Sequence, residues 1–170
     1  MDMGSKDKSL TGDGPSLATA EQRLRQLGIE LPTPPDPFGI YAEAVQMGNL
    51  LFLTGMLPTV GREAKFLGRL GAELDVEACR KAGRLAALNA LAVARQNLGS
   101  LDEVTRIVRL GVAVATSGDV RDQPKVADGA SELLQDVFGK SKNPSRLVYG
   151  VASLPLGVPV ELELIFEVSA

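Results

Sequence analysis

Histidine and tryptophan are both absent from this 170-residue sequence. Without histidine the chain has no Ser-His or Cys-His nucleophile pair, no histidine-ligated metal and no general base of the usual kind near neutral pH. The single cysteine, Cys79, excludes an internal disulfide and a cysteine-rich zinc site. Any chemistry must therefore use carboxylates, Arg, Lys, Tyr, Ser, Thr, backbone groups and ordered water, and we expect neither a metal nor a cofactor.

Aromatic residues and positive charge are also scarce. Two Tyr, five Phe and a net charge of -3 argue against a dedicated nucleic-acid binder, which normally carries a basic field and stacking side chains. No apolar run approaches the ~20 residues of a membrane helix, so we expect no membrane partner. The lone cysteine and the lack of a signal peptide favour the cytoplasm.

The chain divides into three zones of different composition. Residues 1–15 are rich in Gly, Ser, Asp and Lys, and we expect them to be disordered. Residues 16–37 predict a short helix, with Thr19 and Gln22 as a capping box and Gly28 as its end, followed by a Pro-rich tether. The domain proper is expected at residues 38–170, so deletion of residues 1–30 should leave its fold intact.

Patterns within residues 38–170 predict a ββ(β)αβαββ order. A hairpin turns at Gly48-Asn49 into a buried strand at 50–54, and residues 62–74 can supply a third strand. A strand near 104–116, bulged near Gly111, separates two amphipathic helices, and "SRLVYGVASLPLGVPVELELIFEV" predicts a closing hairpin. This order indicates an α+β fold with a mixed sheet and two helices packed on one face.

The longer helix is expected to begin at Asp75 and end at Gly99. The 3.6-residue period predicts that its buried face carries Val76, Cys79, Leu85, Leu88, Leu91, Ala92 and Leu98. On that face Cys79 is expected to act as a small packed hydrophobe rather than a nucleophile.

The closing segment places a cation, Arg146, at the head of one strand and a carboxylate, Glu161, at the start of the next. Both residue types are mostly exposed in proteins, so a surface ion pair explains each of them without any function. Tyr41 likewise has an alternative, as a half-buried strand aromatic.

Two stretches carry a resemblance to a known family. "GNLLFLTGMLP" in the first hairpin and "RLVYGVASLPLGVPVELE" near the end resemble the RidA/YjgF family, also called the endoribonuclease L-PSP family. The most specific element is an arginine, a Leu-Pro pair beginning eight residues later, and Val-Glu-x-Glu five residues after that proline. The resemblance implies a chorismate mutase-like fold, a homotrimer with a ligand cleft between subunits, and hydrolysis of enamine or imine intermediates to 2-keto acids and ammonia.

The resemblance also implies a set of site residues. Arg146 matches the family's anchor for a substrate carboxylate, a role that suits the planar fork of a guanidinium. Glu161 matches the glutamate that orients water, although Glu163 has the same parity in the strand. The cleft lining implied by the family comprises Tyr41, Thr54, Gly55, Met56 and the backbone of Val148.

Several positions depart from the family pattern. Met56 stands where Gln is common, Leu147-Val148 replaces Ser-Cys, and Ala127-Asp128 lies where Asn is frequent. These changes predict a more apolar pocket. They keep open a second function, a non-catalytic trimeric binder of a small carboxylate metabolite. Ribonuclease activity is the least supported alternative, because an acidic chain without histidine suits phosphate chemistry poorly.

Overall fold

The structure is a computed structural model that describes residues 18–170. The disorder predicted for residues 1–15 lies outside the described residues. The helices and strands are α1 Ala20–Leu27, β1 Ala44–Met47, β2 Leu50–Leu53, β3 Thr59–Val60, β4 Glu63–Ala64, α2 Val76–Leu98, β5 Val104–Ala115, α3 Gln123–Phe138, β6 Ser145–Val151 and β7 Val160–Val168. Within the described part of the chain, no helix is long and apolar enough to cross a membrane.

The main sheet is mixed and has the strand order β1-β2-β7-β5-β6. β6 pairs with β5 in parallel, and the other neighbours are antiparallel. The predicted closing hairpin is wrong, because β5 lies between β6 and β7. The connection between those strands passes the end of β5, where the Ala115 N–H donates to Pro159 O and the Thr116 N–H donates to Val151 O, both at 2.9 Å. β6 is thereby an edge strand of the sheet.

Two further strand predictions need correction. Residues 62–74 add no strand to the main sheet: Glu63–Ala64 pairs only with β3 in a separate two-stranded hairpin that turns at Gly61. β5 is continuous past Gly111, and its register against β7 shifts between Val104 and Arg106 and again between Ile107 and Arg109. Gly111 instead leaves room for Glu163, since a Cβ there would lie 2.9 Å from Glu163 Oε2 and would displace that carboxylate.

Helix α2 begins and ends as predicted, but its buried face differs. The Asp75 side chain accepts from the Ala78 N–H at 2.8 Å, and Gly99 is left-handed. Leu85 and Leu88 are only partly buried, whereas the buried face consists mainly of small residues: Cys79, Ala82, Gly83, Ala86, Ala87, Asn89, Ala90, Leu91, Ala92, Val93 and Ala94. Small side chains let α2 approach α3 so closely that a Cβ at Gly129 would overlap the Arg80 backbone. Hydrophobic periodicity underweights alanine, so it missed this face.

Cys79 is fully buried on that face of α2. Burial, and to a lesser extent the charge of Asp75, raises the pKa of its thiol to about 11. A thiol with so high a pKa is a poor nucleophile at neutral pH. The structure therefore agrees with its interpretation as a packed hydrophobe.

Helix α1 has the predicted capping box and ends at Gly28, which is left-handed. It is not separate from the domain, because Leu24 is buried in the common core. Glu21 accepts from Arg95 Nε at 2.9 Å and from Arg95 Nη2 at 2.6 Å, and also from the Leu101 N–H at 3.1 Å. Three helices rather than two thus form the helix layer, and this packing argues against the expectation that residues 1–30 are dispensable.

The two faces of the main sheet are therefore different environments. The helix-facing side carries the core residues Leu51, Leu53, Leu110, Val112, Leu162, Leu164 and Phe166. The opposite side, here called the open face, carries Val45, Met47, Phe52, Gly111, Ala113, Leu147, Tyr149, Glu161, Glu163 and Ile165. Strand alternation assigns each residue to one side or the other.

Candidate functional site

The segment after β2 is joined to the start of β7. The Met56 N–H donates to Leu162 O at 2.8 Å, and the Leu162 N–H donates to Met56 O at 2.9 Å. This bridge places Gly55 directly against the Glu161 carboxylate, where any Cβ would overlap Oε1. Position 55 must therefore be glycine for the carboxylate to occupy this place. The sequence-predicted residues Gly55 and Glu161 are thus brought together.

Glu161 lines a cavity of about 170 Å³ on the open face. Its walls are formed by Gly55, Gly111, Ala113, Tyr149, Glu161, Leu162 and Glu163. Small residues at 111 and 113 of β5 leave the space into which the carboxylate projects. Burial raises the pKa of Glu161 above its ordinary value. The cavity therefore holds a carboxylate whose proton affinity is shifted toward neutral pH.

A second, smaller cavity of about 20 Å³ holds Tyr41, Thr54, Gly55 and Met56. Gly55 lines both cavities, so they are adjacent. The Tyr41 hydroxyl oxygen accepts from the Phe38 N–H at 2.9 Å, which fixes the phenol against the end of the tether. Four of the predicted lining residues therefore share one wall.

The same small cavity contains residues that the sequence analysis did not select. Pro35, Asp36, Pro37 and Glu43 line it, so the Pro-rich segment forms part of the wall rather than only a connector. Burial, with a smaller contribution from Asp36, raises the pKa of Glu43. In the sequence, the only indication that Glu43 belongs to this cavity is its position two residues after Tyr41, and that indication is weak.

Arg146 lies on the helix-facing side of β6. Its Nη1 donates to Asp128 Oδ1 at 2.7 Å and to Ser131 Oγ at 3.0 Å, both on α3. Val148 shares this side of the strand and packs against the core. A single chain therefore does not bring Arg146 or Val148 into the lining of the Glu161 cavity. The ion pair that sequence reasoning offered as the alternative for Arg146 is present.

Tyr149 is the site residue that sequence reasoning missed on β6. It pairs across the sheet with Ala113, which also pairs with Glu161, and it lines the Glu161 cavity. Tyr149 has the opposite parity to Arg146 and therefore lies on the other side of the strand. The prediction was built around Arg146, so it did not include Tyr149. Its phenol gives this cavity a second group, besides the Glu161 carboxylate, that can exchange a hydrogen bond with a ligand or a water molecule.

Among residues 18–170, no group of three or more His, Cys, Asp or Glu is placed to hold a metal ion. The arrangement described above can position a water molecule and move a proton through Glu161, in a cavity that Tyr149 also lines.

Comparison with known proteins places this geometry in context. A family model described as "YjgF/chorismate mutase-like, putative endoribonuclease" matches residues 21–168. The chain belongs to the YjgF/RidA family. A crystal structure of a "putative endoribonuclease" from Shewanella oneidensis superposes with a TM-score of 0.84 at 32% identity, covering 89% of this chain and 100% of that one. The mixed α+β architecture is thus a chorismate mutase-like fold.

Two curated proteins with similar sequences carry different kinds of name. Protein TCP17 of Trypanosoma cruzi is 37% identical over 147 residues, which are 86% of this chain and 92% of that protein. The 2-iminobutanoate/2-iminopropanoate deaminase of Dermatophagoides farinae is 28% identical over 137 residues, 81% of this chain and 92% of that protein. The family match begins within α1, consistent with the packing of that helix into the core.

Proposed function

We propose that this protein hydrolyses reactive 2-imino acids, the tautomers of 2-enamino acids, to 2-keto acids and ammonia. The proposal is supported by family membership and by similarity to a protein named for this activity. The observation that carries it is the Glu161 carboxylate, set in a small cavity against Gly55 with its pKa raised by burial. A base with a pKa closer to neutral is better matched to proton transfer at physiological pH.

The reaction needs only a positioned water molecule and a proton carrier. Glu161 accepts a proton as the water oxygen bonds to C2 of the imine, and the C=N double bond becomes a single bond. The proton is then returned to the nitrogen, which gives a carbinolamine. Glu161 next takes the hydroxyl proton of the carbinolamine and passes it to the nitrogen, so that the C–N bond breaks and ammonia leaves as the C2 carbonyl forms. The cavity of about 170 Å³ suits a substrate of this size, since an engineered cavity of roughly 150 Å³ accommodates benzene.

Arg146 is assigned to the substrate carboxylate, which a guanidinium can bind through two parallel hydrogen bonds. Because one chain holds Arg146 and Glu161 on opposite sides of the sheet, a site that uses both requires a neighbouring copy. We therefore include the homotrimer, with its cleft between subunits, in the proposal. Partly exposed apolar side chains on the open face support it, among them Met47, Phe52, Leu147 and Tyr149.

The second candidate is a non-catalytic trimeric binder of a small carboxylate metabolite. It is favoured by one observation, the apolar replacements around the site. Met56 is buried where the family commonly has Gln, and it lines the small cavity next to the Glu161 cavity. Such a lining can hold a carboxylate ligand without supplying the polar contacts that assist turnover.

Release of keto acid and ammonia from freshly generated 2-iminobutanoate, measured above the rate in buffer, tests the first candidate. Arg146→Ala should abolish the added rate, and Arg146→Lys should restore little of it, because an ammonium cannot reproduce the two-pronged contact. Glu161→Gln should retain ligand binding and lose turnover. Arg121→Ala, a change at an arginine whose side chain is 84% exposed, is the matched control.

The two candidates predict different outcomes of this experiment. Wild-type protein that binds 2-oxobutanoate through Arg146 but does not accelerate imine hydrolysis would favour the binding protein. Unfolding of Arg146→Ala, with no preference of the wild type for a carboxylate ligand, would make Arg146 a structural member of the Asp128 pair and contradict both.

A further inference from the structure

The guanidinium of Arg146 is engaged along one edge only. Its Nη1 carries two hydrogens and has two acceptors, Asp128 Oδ1 at 2.7 Å and Ser131 Oγ at 3.0 Å. Nε and Nη2 make no hydrogen bond to any residue in the described range 18–170. A guanidinium has five N–H donors in a fixed plane, so fixing Nη1 also fixes the direction of the other edge.

The two acceptors lie on a part of α3 that is packed into the core. Asp128 and Ser131 are three residues apart on α3 and so lie on one face of that helix. Between and beside them, Ala127 and Ala130 are buried in the core, which anchors this turn of the helix.

A second cation restrains Asp128. Its Oδ2 lies 4.0 Å from Arg80 Nη1 on α2. Arg80 is itself fixed by Glu132, whose two oxygens each accept from Nη2 at 2.8 Å, and by the Lys125 carbonyl at 2.9 Å. The two oxygens of Asp128 therefore face different arginines, and only one of them is directed at Arg146.

We propose that Asp128 and Ser131 are positioning residues that hold Arg146 through Nη1 and thereby present its Nε–Nη2 edge to the substrate carboxylate. This inference rests on the proposed function, in which Arg146 binds that carboxylate. It assigns a role to the Asp at 128, a position where the sequence departs from the family pattern. A bidentate carboxylate contact on the Nε–Nη2 edge leaves both protein contacts intact.

A purely stabilising ion pair explains the arrangement less well. The side chains of Arg146 and Asp128 are 29% and 44% exposed, and pairs of that kind contribute at most about 1 kcal/mol to folding. A competing role, with Asp128 occupying the ligand's place, does not fit either, because Asp128 contacts Nη1 alone and the bidentate edge stays open.

Binding of 2-oxobutanoate, followed by calorimetry, separates these roles. Asp128→Ala should weaken binding about tenfold, the effect of losing one charge-assisted hydrogen bond. Asp128→Asn keeps an oxygen acceptor for Nη1 and should restore binding to within about twofold of the wild type. Ser131→Ala should have a smaller effect in the same direction. The uncharged analogue 2-oxobutanamide should bind all variants equally weakly.

Asp136→Asn is the matched control, since Asp136 is an exposed carboxylate on the same helix with no hydrogen bond or ion pair to Arg146. It removes the same charge and should not change binding. Equal or tighter binding of 2-oxobutanoate by Asp128→Ala would overturn the proposal, and so would a failure of Asp128→Asn to restore it while the melting temperature is unchanged.

A ligand-free measurement keeps this inference distinct from the proposed function. In arginine-labelled protein, the Arg146 guanidinium signals, assigned by their loss in Arg146→Lys, should show separate Nη1 and Nη2 resonances because rotation is restrained. They should merge in Asp128→Ala and stay separate in Asp128→Asn. If the wild type neither accelerates imine hydrolysis nor binds 2-oxobutanoate, the proposed function fails. Positioning is then decided by these spectra alone, and freely rotating Nη groups in the wild type would overturn it.

Discussion

The two faces of the main sheet are made by the same strands but differ in what fills them. On the helix-facing side Phe166 of β7 is fully buried, whereas on the open face Phe52 of β2, which pairs with Ile165, is 38% exposed. The first face holds the fold together, and the second carries Glu161, Tyr149 and the cavity between them. Residues of a site can therefore vary on the open face with little effect on the core.

Truncating one phenylalanine on each face tests whether the two faces contribute differently to stability. Phe166→Ala should lower the free energy of unfolding by about 3–5 kcal/mol, because it removes a fully buried ring and leaves a cavity. Phe52→Ala should lower it by less, because the Phe52 ring is only partly buried within one chain. Chemical denaturation measures both. Equal losses would mean that the open face is as tightly covered in solution as the core.

A second test asks whether α1 belongs to the helix layer. Leu24→Ala should lower the free energy of unfolding by about 2–3 kcal/mol, since Leu24 is 2% exposed in the common core. Leu27→Ala on the same helix is the control, because Leu27 is 50% exposed and its truncation should cost little. If both variants unfold like the wild type, the original expectation of a dispensable N-terminal segment is restored.

A third test concerns assembly on the open face. We expect a particle of about three times the 17.9 kDa chain mass by light scattering at micromolar concentration. Leu147→Glu should shift it toward the monomer, because a charge would be buried against the neighbouring copy. Leu67→Glu changes another exposed leucine, outside the sheet, and should leave the mass unchanged. A monomeric wild type would contradict both the trimer and the inter-subunit site.

A fourth test concerns the pH dependence of folding stability that Glu161 causes, and here we expect the smallest change. Its folded-state pKa is raised above 4.5 by burial, so the ionised carboxylate destabilises the fold above that pH, and the cost disappears as the pH falls below it. Glu161→Gln should therefore raise the melting temperature slightly at pH 7 and leave it unchanged below pH 4.5. Glu63→Gln, at a side chain that is 75% exposed, should show no such difference.

Sequence patterns predicted those parts of the fold that depend on local chemistry. Caps identified α1 and α2 because Thr19, Asp75, Gly28 and Gly99 act within a few residues of their own position. The hairpin at Gly48 followed for the same reason. Strand order could not be obtained in this way: the insertion of β5 between β6 and β7 depends on contacts between distant residues, and adjacency along the chain suggested a hairpin instead.

The candidate site was predictable only in part. Gly55 and Glu161 were found through their motif, and the structure explains that motif by the overlap that any side chain at 55 would cause. Tyr149 and Glu43 have no motif, and their place in the walls depends on strand parity and on the course of the tether. The contact of Arg146 with Asp128 joins a strand to a helix eighteen positions earlier, beyond the reach of any local pattern.

Cys79 gives the molecule a practical property. Because this one thiol is fully buried and its pKa is about 11, it should resist alkylating reagents at neutral pH in the native state. A cysteine introduced at an exposed position would then be the only rapidly modified sulfur. A chain with one introduced cysteine can therefore carry a single fluorophore or spin label on either face without prior removal of Cys79.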